Sequence, residues 1–288
     1  MASSRGIRRR IKSITSTAQI TRAMQMVAAS KMRKAQELAI AVRPFIRLVY
    51  NIQRNAVTRV VDFTHPLLEV RPINKRLIVL VSSDKGLCGS LNSNLFRLAG
   101  RYNPNSTSFI TAGRKAAQFV ARTRRTLVAD FPYGDTPRFA EARAIAALAR
   151  DMFVRGDVDE VLVLATRFVN TLTQQAVTIE YLPIGEVHSL RIPGTDPEPA
   201  LKPGVTEFRF EPSAAEILGY LLERYLSVVL YIVLLNARAS EQSARMVSMK
   251  NATDNANSLI KELTLQHNKL RQGAITQELL EIAGGQSG

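Results

Sequence analysis

The last quarter of the sequence constrains the fold most. No proline occurs between Ser213 and Ala283. The stretch opens on Ser213 and Glu216 directly after Pro212, and Gly284 and Gly285 close it. A serine and a glutamate three apart form a capping box, and paired glycines end helices. Stepping alternately by four and three from Leu221, through Ile232, Met249 and Leu263 to Gln277, thirteen of seventeen positions are apolar. That spacing is the seam of a coiled coil rather than the wider stripe of a surface helix. One helix over 213–283 spans ~105 Å at 1.5 Å per residue. No compact globule of 288 residues holds such an element inside it. The helix therefore projects, and its seam needs a partner.

The other end of the chain supplies one. From Ile7 the same stepping meets Ile11, Ile14, Ala18, Ala28, Met32 and Ala35 and ends at Val42, with nine of eleven positions apolar. This predicts a second long helix over 1–61. Pro44 is expected to kink it or end it locally. A domain between the two helices turns the chain back, so the pair is expected to run antiparallel. Gln25, Gln242, Thr253, His267 and Gln277 interrupt the seams with polar groups. They either set register or mark stretches that face something other than the partner helix.

The middle of the chain changes character. Arg76–Ser82 (RLIVLVS), Thr107–Thr111, Val158–Thr166 and Gln175–Leu182 read as strands. Arg114–Arg122 and the Ala-rich Pro137–Arg155 read as helices. Strands alternating with helices predict a Rossmann-like α/β domain over 73–190 with a largely parallel sheet. Residues 185–212 are rich in Pro, Gly and charge, so a loop is expected over 191–212 before the last helix. The fold class is thus α/β: a long antiparallel coiled coil of the two terminal helices plus a central α/β domain.

Charge narrows the function. The formal net charge is +15, concentrated in residues 1–43, with ten Lys or Arg and one acid, whereas 213–288 carry seven of each. A basic helix suits nucleic acid, an anionic surface or an acidic protein. The basic stretch 1–43 lacks the aromatics that stack bases, and its seam is committed, so nucleic acid is not the expected partner. The apolar run Tyr225–Ala237 is thirteen residues, short of the about 20 that span a bilayer, and reads as a buried core without membrane insertion. Cys88 is the sole cysteine and the three histidines are scattered, which gives no metal-ligand spacing and no disulfide. The turn Asp84-Lys85-Gly86-Leu87-Cys88-Gly89 invites a phosphate-binding or nucleophile reading. It lacks the full GxxxxGK[ST] motif and a Cys/His signature, so a structural strand-to-helix turn is expected. Asp157 and Asp159 read as a solvated turn. No catalytic residue, cofactor site or metal site is assigned.

Four stretches then resemble one family. QITRAMQMVAASKMRKAQ (19–36), SSDKGLCGSLN (82–92), ASEQSARMVSMKNATDNANSLIKEL (239–263) and NKLRQGAITQELLEI (268–282) are similar, in order, to signatures of the ATP synthase gamma subunit family. The resemblance covers the whole chain and is weakest across 95–212. It implies a non-catalytic rotor, one copy per complex, inside a ring of alpha and beta subunits. Epsilon and a ring of c subunits are the further partners implied. The complex would lie at the cytoplasmic face of a bacterial plasma membrane, with the chain peripheral to it. Carried over residue by residue, Met24 and Lys31 fall near the beta contact, with Glu241 and Arg245 in the same zone. Gln272, Thr276 and Glu278 make an upper contact with beta. Small and polar residues near the tip, such as Ser258, Gln272, Gly273 and Ala274, are expected to keep it from sticking. With one cysteine, the thiol control of chloroplast members is excluded.

Overall fold

The computed structural model describes residues 4–57, 64–184 and 213–284, so the expected loop over 191–212 lies outside them. Helix α1 runs Ser4–Val57 and contains Pro44, so the proline does not end the helix, although it removes one backbone donor. After a single 3-10 turn at Pro66–Leu68 come β1 (Arg76–Val81), α2 (Leu91–Ala99), β2 (Thr107–Ala112) and α3 (Arg114–Arg122). Next are β3 (Thr126–Phe131), α4 (Phe139–Val154), β4 (Glu160–Phe168) and β5 (Gln174–Leu182). Helix α5 follows over Ala214–Gly284 as 71 uninterrupted residues. Its first turn is capped as expected: the Glu216 amide donates to Ser213 Oγ at 3.2 Å.

The chain divides into two units inside both long helices. One comprises the residues up to Ala29 and from Arg245 onward; the other comprises Ser30–Ala244. The division falls there because the first half of α5 belongs to a domain core while its second half packs on α1.

In the first unit α1 and α5 run antiparallel. Ser4 Oγ lies 3.2 Å from His267 Nε2, and Thr21 Oγ1 lies 2.7 Å from Thr253 Oγ1. Advancing along α1 therefore retreats along α5. Ile7, Ala18 and Ala28 are buried on α1, and Met249, Thr253, Ala256 and Leu263 on α5. Ala18, Ala28 and Ala256 put small residues on the buried seam.

In the second unit the sheet order is β3-β2-β1-β4-β5, parallel except for the antiparallel β4–β5 edge. Alternate residues of the central strands face opposite layers. Ile78 and Leu80 meet α2 and α3 through Leu95, Ala99, Ala116 and Val120. Leu77, Val79 and Val81 meet α4 and α5 through Ile145, Ala149, Leu226, Leu230 and Val233. The apolar run of α5 is thus a wall of this core, which explains a composition otherwise suited to a membrane. At about 25 cal/mol per Å² of apolar surface removed from water, such burial is the chief force seating α5 on the sheet. Asp159, expected in a solvated turn, accepts the backbone amides of Asn74 and Lys75, both at 2.9 Å, and so anchors the entry to β1.

Candidate coupling interface

Strand order fixes where a ligand would bind in a sheet of this kind. The chain winds outward through β1, β2 and β3, then returns to β4 on the other side of β1. Doubly wound domains bind ligands beyond the carboxyl ends of the strands at that reversal. Here the chain occupies the place itself. Asp84, in the turn after β1, accepts the Arg114 amide at the start of α3 at 3.0 Å. The anion at that helix N-terminus is thus the protein's own carboxylate. Ser240 Oγ donates to Thr166 O at 3.2 Å and Ser243 Oγ to Thr171 O at 2.8 Å, which ties α5 to the end of β4 and the hairpin beyond it.

Two turns pack closely at the same end. Gly113 has φ +102, and a Cβ there would lie 2.3 Å from Ser82 O. Only glycine fits both conditions. Cys88 is buried beside Leu91 and Ala244, and the Asn92 amide donates to its Sγ at 3.5 Å. The turn is thus packed against α2 and α5.

At the centre of this end stands Arg238, 2% exposed. Its guanidinium pairs with Glu241 and donates to Asp84 Oδ2 at 3.2 Å. It also donates to the carbonyl oxygens of Tyr133 at 2.9 Å and Gly134 at 2.7 Å, and lies 4.3 Å from the Tyr133 ring centroid. Burial disfavours its charge, but Tyr133, Glu241 and Asp84 together outweigh that and raise its pKa above the ordinary value. Burial pushes the Tyr133 phenol pKa up, and its hydroxyl donates to Ser82 O at 2.9 Å. Two residues along the same loop, Asp135 takes Lys31 Nζ at 2.6 Å. That hydrogen bond holds the Asp135 carboxyl below its ordinary pKa of 3.8.

The residues expected at partner contacts fall into three groups. Met24 is half-buried on α1, and Lys31 is half-buried and tied to Asp135. Glu241 and Arg245 are 2% and 8% exposed, so a direct partner contact by Glu241 does not fit its burial; its carboxylate faces Arg238. Gln272 and Thr276 are exposed one turn apart, with Thr276 Oγ1 donating to Gln272 O at 2.9 Å. The Glu278 side chain lies outside the described residues. The structure brings Lys31 and Glu241 to one charged node and leaves Gln272 and Thr276 on the open helix.

Every residue from Asn268 to Gln277 is exposed. Ser258, Gln272, Gly273 and Ala274 are exposed as small or polar surface, and large apolar side chains stand open beside them. Leu265 is 71% and Leu280 68% exposed, with Leu270, Ile275 and Leu279 also open. Ile20, Met26 and Val27 extend exposed apolar surface along α1. Exposed leucines at this density mark a surface meant to be covered.

Sequence reasoning did not find Arg238, Tyr133, Asp135 or the ionic role of Asp84. One signal was present. An arginine that ends a thirteen-residue uncharged run on a core helix needs buried acceptors, and Glu241 stands three residues on.

An antiparallel helix pair, continued into a domain whose ligand crevice holds its own helix, defines a helical stalk subunit. The comparisons give the family. Residues 3–288 match the ATP synthase family. The ATP synthase gamma chain of Opitutus terrae is 44% identical over 290 residues, covering 99% of this chain and 98% of that one. That of Methylacidiphilum infernorum is 41% identical over 291 residues, covering 99% of each. The central stalk and c-ring structure of the Tetrahymena thermophila mitochondrial ATP synthase aligns with TM-score 0.59 at 25% identity, covering 81% of this chain and 99% of that one. A Euglena gracilis mitochondrial structure of OSCP, F1 and c-ring shares the fold at TM-score 0.66 and 18% identity, covering 99% and 93%. The chain belongs to the ATP synthase gamma chain family, and its function is that of the central stalk, the rotor, of an F-type synthase.

Proposed function

We propose that the chain couples ion-driven rotation of a c-ring to ATP synthesis on the beta subunits of an alpha–beta hexamer, and performs no chemistry itself. In this reading it is present in one copy per complex. It meets epsilon and the c-ring through its α/β domain. It is held peripherally at the cytoplasmic face of the membrane by those partners.

The observation that carries the reading is the open end of α5. Past His267 the helix continues for ~25 Å at 1.5 Å per residue, with every residue from Asn268 to Gln277 exposed and leucines among them. A helix of that kind needs a sleeve. Gln272, Thr276 and Glu278 would meet beta within it. Met24, Lys31 and Arg245 would lie near a lower beta contact, and Glu241 would act there through Arg238. The nine-charge excess of residues 1–43 suits an acidic loop met in turn as the rotor moves, since charge attraction tolerates changes of position.

The test is co-purification. A tagged chain expressed with alpha and beta subunits is expected to elute as one chain per hexamer. Its absence from the hexamer, or recovery in several copies, would contradict the reading.

A further inference from the structure

The seating of α5 has two components of different kind. Its apolar face packs on the sheet over Leu226–Val233. Apolar contact is non-directional and resists turning weakly. Hydrogen bonds weaken steeply with angle, and a guanidinium donates in a fixed planar fork.

Ser240 and Ser243 also tie α5 directionally, but Arg238 does so with the most bonds off the helix among the described residues. Three of its acceptors lie off its own helix: Asp84 in the β1–α2 turn, and the carbonyls of Tyr133 and Gly134 in the β3–α4 loop. Rotation of α5 about its axis would break these three together. The fourth, Glu241, turns with the helix and so aims the guanidinium rather than anchoring it. The Tyr133 hydroxyl ties the same loop to Ser82 in the turn. Two residues further along the loop, Asp135 holds Lys31 of α1. The two long helices leave this unit at Ser30 and Ala244, each within two turns of these contacts. Both helices are therefore latched to one short loop at the point where they leave the α/β domain.

We infer that Arg238 and the Tyr133–Asp135 loop form the joint that delivers turning of the α/β domain to the two long helices, with Arg238 as the positioning residue. The inference rests on the rotor reading above. Arg238 holds α5 against slip, and the Lys31–Asp135 bridge holds α1. The second is the weaker hold, because both its partners are substantially exposed.

The experiment uses the assembled synthase in inverted membrane vesicles and reads ion pumping per ATP hydrolysed, normalised to the amount of this chain in the complex. Arg238→Met is expected to lower the ratio about fivefold, the scale on which losing one buried interaction shifts an equilibrium. Arg238→Lys keeps the charge without the fork and is expected to recover part of the loss. Asp135→Asn, at an exposed position that does not threaten folding, is expected to lower the ratio by a smaller factor. A wild-type ratio in Asp135→Asn overturns the joint, whether or not Arg238→Met assembles. So does a wild-type ratio in an assembled Arg238→Met complex. Failure of the rotor reading looks different: the wild-type complex itself would then show no pumping linked to this chain.

Discussion

Arg238 shows what one buried charge demands of its surroundings. A guanidinium that is 2% exposed persists only where carboxylates balance its charge and acceptors meet its terminal nitrogens; here both terminal nitrogens are satisfied and the buried Nε has no hydrogen-bond partner among the described residues. Removing Arg238 takes the guanidinium away from Glu241, which is equally buried. Arg238→Met is therefore expected to destabilise the purified chain by about 3 kcal/mol, read from its urea midpoint, with Arg238→Lys costing less. An unchanged midpoint would show the node to be energetically idle. Gly113 makes a second demand. A methyl group there would meet Ser82 O while forcing an L residue to φ +102. Gly113→Ala is expected to cost more than about 1 kcal/mol in the same measurement. The sequence announced neither set of contacts. Asp84 and Arg238 stand 154 positions apart, and their meeting depends on how the sheet brings two loops to one end. The capping pair Ser213 and Glu216 was legible because all its chemistry lies within one turn.

The helices were the most legible elements because their burial follows a fixed period. All eleven seam positions expected on α1, from Ile7 to Val42, are buried or half-buried. On α5 the seam holds from Leu221 to His267 and then fails: Leu270, Ala274 and Gln277 are exposed. The reason is one of length, since Ser4 at the start of α1 lies against His267. Periodicity registers a face that needs covering, not which molecule covers it. Strand β3 escaped notice for the opposite reason. It is a sheet edge, mostly exposed, and carries no buried run to read. Antiparallel β5 was legible as a strand but not in direction, because direction depends on the hairpin at Asn170, where the side chain accepts the Leu172 and Thr173 amides. The open α5 surface gives a third prediction. Leu265→Asp, at 71% exposure, is expected to change the stability of the free chain by less than about 0.5 kcal/mol. The same change is expected to weaken its retention by the alpha–beta hexamer in gel filtration. Loss of stability without loss of retention would place Leu265 in the chain's own packing instead.

At the scale of the molecule, one chain carries two kinds of order. Residues 30–244 bury a two-faced α/β core, and the apolar run of α5 belongs to that core rather than to a membrane. The remainder is a helix pair with exposed apolar surface and a basic N-terminal helix, a combination suited to partners that surround it. The crevice where related sheets bind ligands holds Asp84 and the Arg238 segment, so that end of the sheet carries its own helix. These features converge on mechanical coupling, and the direct measurement is rotation. The chain, assembled with alpha and beta subunits immobilised on a surface, is labelled with a bead through Asn105→Cys in the exposed loop after α2, since Cys88 is buried. Addition of ATP is expected to turn the bead continuously in one direction while the chain stays bound. A bead that stays still while the hexamer hydrolyses ATP, or a chain released on adding nucleotide, would contradict the account.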